Sequence, residues 1–160
     1  MDDSIRLHTA IEQFIFREAR LLDCRVYAGW EALWTDDALY WLPAGDGDID
    51  PEKSMSIIYD NRSRLGLRIR QLQSGRRHAQ NPPSRVVHVI SNIEVLDDHG
   101  SDISAVASAL TYESNLRGET LWASRNEYRI RRSEDGLRLV QKKVVLANSD
   151  KPIFTLAFLI

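Results

Sequence analysis

Cysteine is nearly absent from this chain: there is one, Cys24, among 160 residues. An intrachain disulfide is thereby excluded, and a reducing compartment such as the cytoplasm is the expected setting. No apolar run approaches the roughly 20 residues needed to cross a bilayer, so no membrane association is expected. The opening Met1-Asp2-Asp3-Ser4 is acidic and polar, unlike a secretory signal peptide. Excess charge is missing too. The 21 Lys and Arg nearly balance 23 Asp and Glu, for a formal net charge of −2, which gives no general attraction to nucleic acid or acidic membranes. The histidines His8, His78, His88 and His99 have no second His at i+4 and no CxxC companion, so no metal-ligand cluster is legible. Repeats and low-complexity tracts are also lacking. What remains reads as one ordinary domain over residues 1–160, long enough to bury about 68–70% of its unfolded surface.

Leu7, Ile11, Phe14, Ile15, Leu22 and Val26 recur at helical spacing, which predicts a first helix from Ser4 to Asp23 with Asp3 or Ser4 as N-cap. Tyr27, Trp30 and Trp34 follow i, i+3, i+7 spacing and are expected on one face of a second helix. A short strand over Ala38–Leu42, stopped by Pro43, precedes a Gly- and Asp-rich loop over Ala44–Lys53. Met55–Tyr59 reads as another short strand. Asn61–Gln73 reads as an amphipathic basic helix, and Ser74–Ser84 as a loop. Pro82-Pro83 then forbids helix, and the β-branched run from Arg85 opens a strand. Three turn signals, Asp97–Gly100, Asn115–Gly118 and Glu134–Gly136, divide the rest into a four-stranded antiparallel meander. Its segments, about 10–14 residues long, exceed the usual strand and favour a strongly curved sheet with bulges. Apolar alternation slips at Ser91-Asn92. Helices followed by a curved sheet give an α+β domain, and a sheet that curls around helices can enclose a pocket.

Such a pocket could host catalysis, which requires a carboxylate or histidine inside an apolar cavity. Asp23, Tyr27, Asp36, Asp37, Tyr40 and His88 are the candidates. Asp36-Asp37 reads more readily as a turn at a helix end than as a catalytic pair. His88 lies opposite Val87 and Val89 in its strand and reads as a hydrogen-bonded structural residue before a general base. Cys24 reads as packed rather than nucleophilic. Arg62, Arg64, Arg68, Arg70, Arg76 and Arg77 form a basic cluster that suits either a solvated face or a partner surface. Nucleic acid is disfavoured, since no aromatics interleave with it. Arg125, Glu127, Arg129 and Arg131 share one strand face, opposite Trp122, Tyr128 and Ile130. The stretch Pro152–Ile160 is almost wholly apolar and is expected to be buried in its own cone or against another subunit.

Several motifs occur together and in order: Glu18-Ala19-Arg20-Leu21-Leu22-Asp23, Trp34-Thr35-Asp36-Asp37-Ala38-Leu39-Tyr40-Trp41-Leu42-Pro43, Asp60-Asn61-Arg62-Ser63, Asn81-Pro82-Pro83-Ser84-Arg85-Val86-Val87-His88-Val89-Ile90-Ser91-Asn92, and Lys142-Lys143-Val144-Val145-Leu146-Ala147-Asn148. On these, the chain resembles the small (β) subunit of aromatic-ring-hydroxylating dioxygenases, nearest the benzoate, toluate and anthranilate branch. The family's third long strand often carries Gly-x-Arg-x-Asp, where this chain has Ala123-Ser124-Arg125-Asn126-Glu127.

The resemblance implies the cone fold of nuclear transport factor 2 (NTF2), with N-terminal helices packed on a strongly curved, mostly antiparallel sheet. It also implies a non-catalytic, structural subunit. A large (α) subunit would hold a Rieske 2Fe–2S cluster and a mononuclear Fe(II), with electrons arriving from NAD(P)H through a reductase. Three small subunits would form a trimer within an α3β3 hexamer that dihydroxylates a benzoate-like aromatic carboxylate. This chain should carry no cofactor, since a Rieske centre takes two cysteines and the chain has 1. Interface residues are expected at Arg62, Arg64, Arg85, Asn92, Trp122 and Arg125. The rival is a stand-alone isomerase, dehydratase or small-molecule binder that uses Asp37, Tyr40 and His88 as polar groups of the cone pocket.

Overall fold

The computed structural model describes residues 2–45, 50–76, 80, 82–149 and 156–160. Of the residues discussed above, Arg77, His78, Asn81, part of the 44–53 loop and the first half of the apolar C-terminal stretch lie outside them. Helix α1 spans Asp3–Asp23 and buries a single stripe of Ile11, Phe14, Ile15, Ala19 and Leu22. Its N-cap is Asp2 rather than Asp3 or Ser4. The Asp2 carboxylate accepts from the Ser4 amide at 3.3 Å, and Asp3 sits in the first turn where the helix dipole favours a negative charge. At the other end Arg25 adopts a left-handed backbone, φ 56°. The Val26 N–H then donates to the Leu21 carbonyl and the Arg25 N–H to that of Leu22, the paired closure that usually recruits glycine.

Helix α2 is only Tyr27–Glu31. The expected shared helix face of Tyr27, Trp30 and Trp34 is therefore wrong: Trp34 opens strand β1, where Leu139 is its partner. Proximity survives, for the Trp30 and Trp34 rings meet edge to face at 5.3 Å. Strand β1 runs Trp34–Pro43, well beyond the expected Ala38–Leu42. Its register breaks between Trp34 and Leu39, so Asp36 and Asp37 lie in a bulged stretch of strand and not in a turn at a helix end. Strand β2, Ser56–Asn61, pairs antiparallel with β1. Asn61 then caps helix α3, Arg62–Gln73, by accepting from the Arg64 amide at 3.0 Å.

The meander follows as β3 (Arg85–His99), β4 (Asp102–Asn115), β5 (Gly118–Ser133) and β6 (Gly136–Leu146). Its turns use positive φ at Gly118 and Gly136, 130° and 112°. The slip of apolar alternation coincides with a break in β3–β4 register between Ser91 and Glu94, where Asn92 takes φ 53°. The six strands form one sheet in the order β2-β1-β6-β5-β4-β3, with β1 and β6 parallel and every other pair antiparallel. Along β5, residues 122, 124, 126, 128 and 130 are buried while 125, 127 and 129 face outward. The inner face closes over α1 and α2 around a core that includes Ile11, Ile15, Trp30, Tyr40, Leu65, Ile69, Ile130 and Leu139. This is the expected α+β cone.

Candidate functional site

The interior of the cone is where a catalytic group would have to lie, and its buried polar side chains include Glu18, Asn126 and Lys142. Glu18 shares the α1 stripe with Ile11, Phe14, Ile15 and Leu22, so the helix drives a carboxylate into the core, 1% exposed. Lys142 alternates with Val140 and Val144 and points the same way from β6. Their ion pair is 2.8 Å long, and the Trp30 indole N–H donates to the same Glu18 oxygen at 2.7 Å. Glu18 Oε2 has no hydrogen-bond partner among the described residues. Beside this pair, β5 presents a ladder in which the Ser124 hydroxyl donates to Asn126 at 2.8 Å and Asn126 donates to the Tyr128 hydroxyl at 3.1 Å. Burial, reinforced by the charge of Glu18, pushes the Tyr128 phenol far above its ordinary range. That phenol is thus a neutral hydrogen-bonding group and not a proton donor near neutrality.

Two of the candidate residues, Tyr40 and Trp122, meet the C-terminal residues here. Tyr40 is fully buried, and its hydroxyl donates to the Ile160 carbonyl at 2.8 Å while accepting from the Ile160 amide at 3.1 Å. Burial raises its pKa too. Trp122, expected at a subunit interface, instead faces inward at 6% exposure and packs on Phe158, with ring centroids 6.1 Å apart. The correction follows from strand parity: Trp122 belongs to the buried set of β5, and Arg125 to the exposed one. Ala157, Phe158, Leu159 and Ile160 are all buried in the cone itself. The rival's pocket is therefore occupied by the chain's own side chains at the places where Tyr40 and Trp122 line it.

The remaining pocket candidates do not converge. His88 lies on the inner side of β3, with its side chain 2% exposed. Its Nδ1 is 2.6 Å from Asp23 Oδ1, and its backbone N–H donates to the same carboxylate. The pair fastens the end of α1 to β3. His88 Nε2 is buried without a hydrogen-bond partner among the described residues. Asp37 is exposed and takes two bonds from Arg131, at 3.0 and 3.2 Å. Arg131 also grips Asp102 at 2.8 Å, and that hydrogen bond holds the Asp102 carboxyl below the usual carboxylate range. Asp37 thus belongs to a surface ion-pair network, and Asp37, Tyr40 and His88 form no common site.

The arginine candidates divide likewise. Arg62 is tied to Glu31 at 2.8 Å, and Arg68 to Asp60 at 2.6 Å. Arg64 is exposed, with a long contact to the Tyr59 carbonyl at 3.5 Å. Arg85 is exposed at the start of β3. Asn92 and Arg125, by contrast, come together. Both line a cavity of about 370 Å³ on the outer face of the sheet, along with Glu94, Glu127 and Lys143. Lys143 pairs with Glu127 at 3.2 Å and lies 4.5 Å over the Trp41 ring. Glu94, Glu18 and Lys142 escaped the sequence reading. For the last two the signal was present, as charges at apolar positions of otherwise regular patterns.

The ligand set does not fit either metal centre implied by the resemblance. A Rieske cluster takes two cysteines and two histidines, and Cys24 is the one cysteine. A mononuclear iron site takes two histidines and a carboxylate. Among the described residues no group of three His, Cys, Asp or Glu side chains could hold an ion, and His8 and His88 engage Ile93 and Asp23 respectively.

A family described as "Ring hydroxylating beta subunit" matches residues 17–150. The small subunit of 2-halobenzoate 1,2-dioxygenase from Burkholderia cepacia is 36% identical over 141 residues, covering 84% of this chain and 85% of that protein. The small oxygenase component of the p-cumate 2,3-dioxygenase system from Pseudomonas putida is 32% identical over 138 residues, covering 85% and 77%. In structure, the β subunit of benzoate 1,2-dioxygenase from Burkholderia mallei superimposes with a TM-score of 0.74 at 28% identity, over 90% of this chain and 93% of the other.

Proposed function

This chain belongs to the ring-hydroxylating β-subunit family, and from that premise we propose that it is the structural small subunit of an oxygenase acting on a benzoate-like aromatic carboxylate. The observation that carries the reading is the correspondence, over 84% of the chain, to a small subunit named for a halobenzoate dioxygenase. A larger partner chain would hold the Rieske cluster and the mononuclear iron, and electrons would come from NAD(P)H through a reductase. Those centres together supply dihydroxylation of the ring by O2, giving a cis-dihydrodiol or, from an anthranilate-like substrate, a catechol. This chain's part is mechanical. A cone braced by the Glu18–Lys142 pair and by Tyr40 on Ile160 is a rigid body suited to holding large subunits in register, in an α3β3 hexamer. No helix among the described residues is long and apolar enough to cross a membrane. Cys24, expected to be packed, is instead exposed just after the end of α1, and a free thiol there suits a reducing cytoplasm.

The test is affinity purification of the chain from its host grown on an aromatic carboxylate. A stoichiometric larger partner with bound iron and a Rieske absorbance spectrum is expected. A colourless chain without such a partner would refute the subunit reading.

A further inference from the structure

We propose that the inner wall of the sheet carries a binding site for a small phenolic compound, formed by His88, Thr111 and Trp122. Cross-strand register sets these three side by side: His88 of β3 is the partner of Thr111 on β4, and Thr111 is the partner of Trp122 on β5. Directly opposed residues hold their Cβ atoms about 5 Å apart. All three lie on the enclosed face, with Thr111 0% exposed, Trp122 6% and the His88 side chain 2%. Each nonetheless has a polar atom, His88 Nε2, Thr111 Oγ1 and Trp122 Nε1, with no hydrogen-bond partner among the described residues. Buried polar atoms are nearly always bonded, because leaving one dry costs its full hydration. The other such atoms, Glu18 Oε2, Trp34 Nε1 and Thr35 Oγ1, belong to other elements, whereas these three fall in a single row. The Thr111 hydroxyl can rotate towards either neighbour and bonds to neither, which is the spacing of an intervening oxygen.

Donors and acceptors define the guest. In the neutral ring the Asp23 carboxylate, 2.6 Å from Nδ1, keeps the proton there, so Nε2 presents a lone pair to the interior. The Trp122 indole can only donate, and the Thr111 hydroxyl can do either. One hydroxyl group satisfies this set, donating to Nε2 and accepting from the indole or from Thr111. A carboxylate does not. It offers Nε2 no proton, and it would stand near the negative charge of Glu113, which is buried on the same face of β4 and held by Ser84. The surroundings suit a ring. Val86 and Ile90 flank His88 on its face of β3 and pack against the core, and Phe158 lies beside the Trp122 ring with centroids 6.1 Å apart. Asp37 and Tyr40 take no part. The site is independent of the subunit reading, since a chain that braces an oxygenase can also hold such a compound.

Phenol titrated into the full isotope-labelled chain, with the indole N–H signals of its 4 tryptophans followed by NMR, tests this. The Trp122 signal should move and saturate, while that of Trp41, whose indole donates to Ser56, stays in place. Anisole, whose oxygen cannot donate to Nε2, and benzoate should each bind at least about tenfold more weakly than phenol. Thr111→Val removes the hydroxyl at nearly constant volume. It should weaken phenol binding about tenfold without lowering the melting temperature, because that hydroxyl bonds to no described residue. The absence of a saturable shift at Trp122 would mean that the row holds only water, and would overturn the proposal. Anisole or benzoate binding as tightly as phenol would overturn it too, as would a folded Thr111→Val chain that binds like wild type. The comparison of the three compounds on the wild-type chain decides the matter even where the variant folds poorly.

Discussion

Lys142→Met removes one half of an ion pair whose members are each 1% exposed. Methionine nearly conserves the stem, so little cavity opens, and the loss is electrostatic. It strands the Glu18 carboxylate, which keeps the Trp30 N–H bond at 2.7 Å but loses its only counter-charge among the described residues. Breaking a buried pair on one side costs about 3–5 kcal/mol. For a chain of this size that is a fall in melting temperature of about 6–20 °C. Adding Glu18→Gln removes the second charge while preserving an acceptor for Trp30. Its amide N–H₂ falls where Oε2 already lacks a partner, so a residual cost of about 1–2 kcal/mol remains. Thermal and urea unfolding followed by circular dichroism would measure both. The double variant should therefore melt above the single one. A Lys142→Met chain melting within about 2 °C of wild type, or a double variant melting below it, would refute the buried-pair reasoning.

Three further outcomes follow from geometry on the page. Tyr40→Phe should destabilise by about 1–3 kcal/mol, because the buried Ile160 amide and carbonyl lose one shared partner; urea unfolding and faster hydrogen exchange at the Ile160 amide would show it. Asn92→Val should cost about 1–2 kcal/mol, because a β-branched residue resists φ 53°, whereas Asn92→Gly should be tolerated; chemical denaturation distinguishes them. Asp102 has a folded pKa lowered chiefly by the Arg131 hydrogen bond. Its contribution is therefore fully present above the unfolded value of about 3.9 and is lost as pH falls through the folded value. Asp102→Asn should flatten the acid limb of a stability–pH curve below about pH 4 and leave its slope between pH 5 and 8 unchanged.

Strand parity and turn chemistry made the meander legible: the glycine-bearing turns, the charged outer row of β5 and even the bulge at Asn92 follow from alternation and its one slip. β1 was harder. Its first half pairs across an irregular register with β6, so Asp36-Asp37 carry no period-two signal and mimic a turn, and Trp34 mimics a helical repeat. Interior function was the least legible. Whether a cone is hollow depends on what enters it, and neither the Tyr40–Ile160 bracket nor the seating of Phe158 on Trp122 leaves a local mark in the sequence. Trp122 was misplaced for a related reason: aromatic residues are common in both interfaces and cores, and only its parity with Tyr128 and Ile130 tells them apart.

The parallel seam between β1 and β6 sets an order on biosynthesis. β1 is made early and meets β2 at once, but its other edge waits until the whole β3–β6 meander has left the ribosome. Through that interval Tyr40, which ends up wholly enclosed beside Lys142 of β6, has no sheet neighbour on one side, and the Glu18 carboxylate has no Lys142. Closure of so distant a pairing is intrinsically slow and leaves sticky edges exposed. The nascent chain thus spends its most vulnerable period as a half-sheet, and conditions that lengthen translation of β3–β6 should lower the yield of folded protein before they alter anything measurable in the finished one.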